Sequence, residues 1–118
     1  MLSTRGLWRW VLPSLLVAAW RRYRPFPVRV AGPSMLPTLR QGDRLAVSAR
    51  LHPRRGDLVI ARRDGLEMVK RVRRLDGNVV EVAGDNAAAS TDFSAHVEDV
   101  VGVAVLRYWP APRWLKRL

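Results

Sequence analysis

The sequence predicts a mainly β protein, a small antiparallel barrel or folded sheet behind a hydrophobic, anchor-like N-terminal segment. Three observations lead there. Short runs rich in Val and Ile recur between residues 27 and 108, and no stretch in that span carries a helical period. Turn-forming pairs punctuate the runs: Gly42-Asp43, Gly56-Asp57, Asp64-Gly65 and Asp76-Gly77. A chain of 118 residues supports one core, and an apolar content of 48% fits a folded domain better than a disordered one.

Residues 1–26 form the anchor-like segment. Its uninterrupted apolar run, residues 11–20, contains Pro13 and Ser14, and extending it backwards takes in Arg9. A membrane span needs about 20 apolar residues, so a peripheral or re-entrant anchor is expected, with an amphipathic helix folded onto the domain as the alternative. A cleavable leader is disfavoured, because Arg21-Arg22-Tyr23-Arg24-Pro25 follows without a small-residue cleavage site. Arg24-Pro25-Phe26-Pro27 is a stiff junction, since the residue before each proline is pushed to extended geometry. The catalytic-size domain is then 27–108, with strands expected at 28–31, 44–48, 57–62, 66–75, 79–82 and 100–108. Asp64-Gly65 predicts a tight hairpin between the third and fourth. Residues 109–118 make a basic tail, too proline-rich at Pro110 and Pro112 for a strand and expected to end in one amphipathic turn.

The net charge of +11 is unevenly spread. Residues 1–30 carry +6 and residues 107–118 carry +4, neither with an acidic residue, so the body between them is close to neutral. Trp8, Trp10, Trp20, Trp109 and Trp114 all lie in those two ends. Trp beside Arg in Leu- and Val-rich segments suits a membrane–water interface, so membrane-surface contact through both termini is expected. The same composition suits a nucleic-acid-binding barrel, but a neutral body argues against a reading face along the strands. No nucleic-acid partner is expected; the location predicted is cytoplasmic or at the cytoplasmic membrane. The chain has no Cys and only two His, His52 and His96, far apart, so no disulfide, metal site or cofactor is expected.

Of 21 basic residues only Lys70 and Lys116 are lysines. A guanidinium keeps its proton in any protein environment, whereas an ammonium in an apolar setting can lose it. Lys70 is thus the one basic side chain in the body of the domain able to become a neutral amine, and it sits in Met68-Val69-Lys70-Arg71-Val72. Ser34 lies upstream in Gly32-Pro33-Ser34-Met35-Leu36-Pro37-Thr38. A serine with a deprotonated lysine makes a nucleophile and its general base.

Four blocks in order carry a family resemblance: Gly32-Pro33-Ser34-Met35-Leu36-Pro37-Thr38-Leu39, Arg55-Gly56-Asp57-Leu58-Val59-Ile60, Met68-Val69-Lys70-Arg71-Val72 and Gly84-Asp85-Asn86-Ala87-Ala88-Ala89-Ser90-Thr91-Asp92. Together they resemble the type I signal peptidases, serine peptidases with a Ser/Lys dyad. The resemblance implies Ser34 as nucleophile, Lys70 as general base and Ser90 as the hydroxyl that orients Lys70. It places Gly32 in the oxyanion loop, where some members have a hydroxyl side chain and others glycine. Pro33, Met35, Pro37, Asp57, Gly84, Asp85, Asn86 and Asp92 are expected to be structural. The family pattern continues Ser-x-Asp-Ser-Arg, but Ser94 stands at the arginine position, so Asp92 lacks its usual partner. In its compactness, its weak anchor and the sequence from Arg29 to Asp92 the chain looks most like the members that trim a leader from the nickel-type superoxide dismutase precursor. A precursor protein is therefore the expected partner. A general signal peptidase acting on secretory leaders is the main alternative. A phage-repressor-like protease also uses Ser and Lys, but the 26 residues ahead of the domain are too few for the DNA-binding domain it would bring. A Ser34–Asp92–His96 triad is the alternative chemistry, and His52, before Pro53 in an Arg-rich loop, reads as solvated.

Overall fold

The computed structural model describes residues 4–116. The first three residues of the anchor segment, and Arg117 and Leu118 of the tail, lie outside the described residues. Helix α1 (Thr4–Tyr23) is followed by strands β1 (Pro25–Arg29), β2 (Arg44–Ser48), β3 (Leu58–Arg63), β4 (Leu66–Asp76), β5 (Val79–Ala83), β6 (Phe93–His96), β7 (Val100–Trp109) and β8 (Arg113–Trp114), with one 3₁₀ turn, Val97–Asp99. The strands form one antiparallel sheet in the order β1-β2-β7-β3-β4-β5-β6, with β8 beside the end of β7. Mainly β architecture, as a curled half-barrel, is what the sequence predicts.

Curling covers both faces of the central strand. Leu58, Val59, Ile60 and Ala61 are buried in succession along β3, where a half-solvated strand would alternate. Leu58 and Ile60 join Val30, Met35, Leu39, Leu45, Val47, Val69 and Ala104 on one side. Val59 and Ala61 join Val72, Val80, Val82 and Val103 on the other. The β3–β4 hairpin turns at Asp64-Gly65 and pairs Val59 with Lys70 and Leu58 with Arg71. Neighbouring strand residues face opposite ways, so Lys70 shares a face with Val59 and Val72 while Arg71 takes the other.

The strand boundaries depart from expectation at both ends. β1 starts at Pro25, ahead of the expected 28. Pro25 and Pro27 are two apart and face the same side of an edge strand paired only with β2, where a missing N–H costs no ladder bond. β6 was not expected; it is four residues long, with Phe93 and Ala95 inward and Ser94 and His96 outward. The tail carries a strand after all. Its prolines at 110 and 112 precede the Arg113–Trp114 pairing with Leu106 and Arg107, and Leu115 N then donates to Val105 O at 2.8 Å.

Helix α1 runs through Pro13, which forgoes one backbone bond. It is not folded onto the domain: Trp10, Leu12, Leu15, Leu16, Val17 and Trp20 are each more than half exposed. Among the described residues no helix is long and apolar enough to cross a membrane. The helix ends where Arg24 N donates to Trp20 O at 2.7 Å and the buried Ser48 hydroxyl donates to Tyr23 O, tying its last turn to β2.

Candidate active site

The β1–β2 connection holds Ser34 between two anchors. Met35 and Leu39 are fully covered in the core, and Leu39 N donates to Met35 O at 2.9 Å, closing one helical turn. Leu36 N donates to Pro33 O at 3.1 Å across Ser34 itself. Just before it, Gly32 has φ +76, a left-handed conformation that glycine adopts without steric cost. Pro33 and Pro37 are on the surface of this loop and limit its unfolded freedom.

Ser34 and Lys70 line the same open cleft, of about 290 Å³, with Gly32, Pro33, Met68 and Phe93 also in its walls. Lys70 is 4% exposed. Its Nζ donates to Ser90 Oγ at 2.9 Å, and Gly84 N donates to the same oxygen at 2.8 Å. The amide therefore fills one acceptor site of the Ser90 hydroxyl and leaves the other for the lysine. Burial pushes the Lys70 ammonium below the ordinary lysine range, and the carboxylate of Asp92 partly opposes it.

Gly84 is where the fourth block meets the first. A Cβ built there would lie 2.5 Å from Ser34 O and collide with the Ser90 side chain. Asn86 straps the same loop: its N–H donates to Ser34 O at 2.9 Å and its Nδ2 to Pro33 O at 3.1 Å. The sequence did not foresee these partners for Asn86.

Asp85 and Asp57 are each held by partners that the sequence did not foresee. Arg71 grips Asp85 with two bonds, Nε to Oδ1 and Nη2 to Oδ2, each 2.8 Å, and its Nη1 donates to Gly56 O at 2.7 Å. Thr38 donates to Asp85 as well. One guanidinium thus joins the second, third and fourth blocks. The hydrogen bond to Arg71 holds the Asp85 carboxyl below its usual range. Asp57 Oδ2 accepts from Arg54 N at 2.8 Å and from Lys116 Nζ at 2.7 Å. The sequence offered one available signal for the clamp, an arginine directly after the lysine and therefore on the opposite face.

Asp85→Asn is expected to cost about 2 kcal/mol, because it strands a mostly covered guanidinium whose side chain is 26% exposed. The folded Asp85 pKa is depressed, so its contribution is full above the unfolded carboxylate value of about 3.9 and fades as pH falls through the lower folded value. Urea unfolding from neutral pH downwards should show the variant with a lower midpoint and a flatter acid limb. Matching midpoints would mean the clamp carries no stability.

Other residues stay out of the cleft. His96 caps the 3₁₀ turn, its Nδ1 accepting from Glu98 N at 3.4 Å. It does not line the cleft with Ser34. His52 lies in a separate pocket under α1. Asp92 is exposed and acts on Lys70 by charge. Unforeseen in the cleft walls are Arg63 and Phe93, with the guanidinium carbon 4.9 Å from the ring centre.

No curated protein matches the chain. The Peptidase S24-like family matches residues 13–105, from within α1 to within β7, a span that contains all four sequence blocks. Matched over most of its length, the chain belongs to the Peptidase S24-like family of serine peptidases.

Proposed function

We propose that the protein is an endopeptidase with a Ser34–Lys70 dyad that removes an N-terminal leader from a precursor protein, the nickel-type superoxide dismutase precursor being the substrate it suits best. The observation that carries this reading is a single buried lysine, its proton destabilised by burial, in one cleft with Ser34. Ser34 Oγ attacks the peptide carbonyl carbon while Lys70 Nζ takes the hydroxyl proton. The Ser34 amide donates to the new oxyanion, with Gly32 giving the loop the turn it needs. On collapse Lys70 passes its proton to the leaving amine, and the ester left on Ser34 is hydrolysed by water with Lys70 again as base. Ser90 positions the amine: with one lone pair taken by Gly84 N–H, its oxygen holds one Nζ hydrogen and leaves the nitrogen lone pair free for Ser34.

The test is to incubate purified protein with the dismutase precursor and, separately, with a model secretory precursor, then to sequence the new N-termini. Cleavage of the dismutase leader, absent with Ser34→Ala, is expected. Cleavage of the secretory precursor alone moves the assignment to a general signal peptidase, a reading favoured by the exposed apolar side chains of α1. Cleavage that survives in Ser34→Ala removes the dyad.

A further inference from the structure

At the foot of α1 lies a second pocket, of about 450 Å³, that shares no lining residue with the catalytic cleft. Arg22 and Tyr23 of the last helical turn, Arg50, His52 and Arg54 of the β2–β3 connection, and Lys116 of the tail line it, and no acidic side chain does. We propose that this pocket binds phospholipid headgroup phosphates and docks the protein, with α1, on an anionic membrane surface.

The pocket is built rather than accidental. Lys116 is pinned by Asp57 at 2.7 Å, with side-chain exposure of only 13%. The preceding residue is held on β7 by its backbone bond, and Tyr23 is held on β2 through Ser48. Asp57 pairs with Lys116, and among the described residues Arg22, Arg50 and Arg54 have no ion pair, so the pocket keeps a positive field. Three guanidinium forks around one space suit phosphate oxygens, which they grip in pairs.

What fills the space is argued from the helix beside it. Trp10, Leu12, Leu15, Leu16, Val17 and Trp20 present apolar surface to water, and such surface marks an interaction site. Residues 1–30 contain no acid, and arginines flank the exposed tryptophans: Arg9 beside Trp10, Arg21 beside Trp20. Exposed Trp and Leu side chains with arginines beside them place α1 at headgroup depth on an anionic surface. That depth brings the guanidinium groups at its end level with lipid phosphates. A protein partner for this face would have to supply acidic groups and a matching apolar groove; an anionic bilayer supplies both at once.

Binding can be read without cleavage, so the proposal stands apart from the peptidase assignment. The full chain, and its Ser34→Ala form, are floated with vesicles of phosphatidylcholine alone or with about 30% phosphatidylglycerol at about 0.1 M salt. Both forms should float with the anionic vesicles, release as salt rises, and ignore the neutral ones. The double change Arg50→Gln and Arg54→Gln should lower the partition coefficient about tenfold or more, with cleavage of a soluble substrate unchanged. Arg22→Gln probes the same pocket from the helix, outside the sheet, and should weaken binding in the same direction. Equal flotation with both vesicle types, or unaltered binding in all three arginine variants, overturns the headgroup pocket. Inorganic phosphate or a single-stranded oligonucleotide bound in place of vesicles overturns the membrane assignment.

Discussion

Lys70→Ala and Lys70→Met are expected to lower kcat/KM for leader cleavage by about three orders of magnitude or more, and Lys70→Met is expected to raise resistance to urea at neutral pH. Both follow from the same burial. An amine base is useful only when unprotonated, and covering Lys70 disfavours the ammonium. Wild-type activity should therefore climb with pH through the depressed folded pKa of Lys70. A flat profile from about pH 6 to 10 sinks the amine base. The stability consequence runs the same way. Below the folded pKa the lysine is charged in both states, and the native state carries the whole desolvation cost. Between the folded pKa and the unfolded value of about 10.4 the unfolded chain holds more protons, so stability rises with pH. Above that the cost is gone. Met fills a similar volume with no charge, so its advantage should be greatest below the folded pKa and vanish above about pH 10.4. A Lys70→Met protein less stable than wild type at pH 7 would show that the ammonium is better solvated than its burial implies.

Gly84→Ala is expected to be nearly as damaging to catalysis through geometry alone. Its methyl group would stand 2.5 Å from the carbonyl oxygen of Ser34 and against the side chain of Ser90. The first neighbour is backbone and cannot swing aside. Either the end of β5 backs away, taking the Gly84 N–H from Ser90, or the nucleophile loop lifts from Met35 and Leu39. Overpacking of this kind costs about 1–3 kcal/mol, and displacement of a reacting group by about 1 Å costs about a hundredfold in rate. Thermal unfolding and kcat/KM measured on one preparation would check both. Wild-type kcat/KM in Gly84→Ala would mean that the contact between these two segments is irrelevant to catalysis.

Much of the sheet was legible because strand runs and turn pairs are local signals. β2 falls where Val and Leu alternate, and the β3–β4 hairpin turns at Asp64-Gly65. The serine peptidase class was legible for a different reason: four short blocks stand in order and carry a family resemblance, and Lys70 is the one lysine in the body of the domain. What stayed hidden depends on contacts between distant residues. Arg71 and Asp85 are 14 apart, Asn86 and Pro33 are 53 apart, and Lys116 and Asp57 are 59 apart. Only closure of the curled sheet decides which of several arginines meets which carboxylate. β6 and β8 escaped for the converse reason: with four and two residues they carry too little pattern of their own and exist because β5 and β7 offer them an edge.

The adjacency of Lys70 and Arg71 on β4 makes the chemistry a matter of parity. One residue added or removed between the Asp64-Gly65 turn and Lys70 exchanges the faces of the two side chains. It would deliver to the cleft a guanidinium whose proton no environment removes, and an ammonium to the site that grips Asp85. The chain could still form its hairpin and would be chemically inert. Length change that preserves activity must come in pairs along this arm, or fall in the turn at Asp76-Gly77-Asn78 beyond it. The spacing between that first turn and Lys70 is thus inherited as an even-or-odd constraint, stricter than any demand on the residues in between.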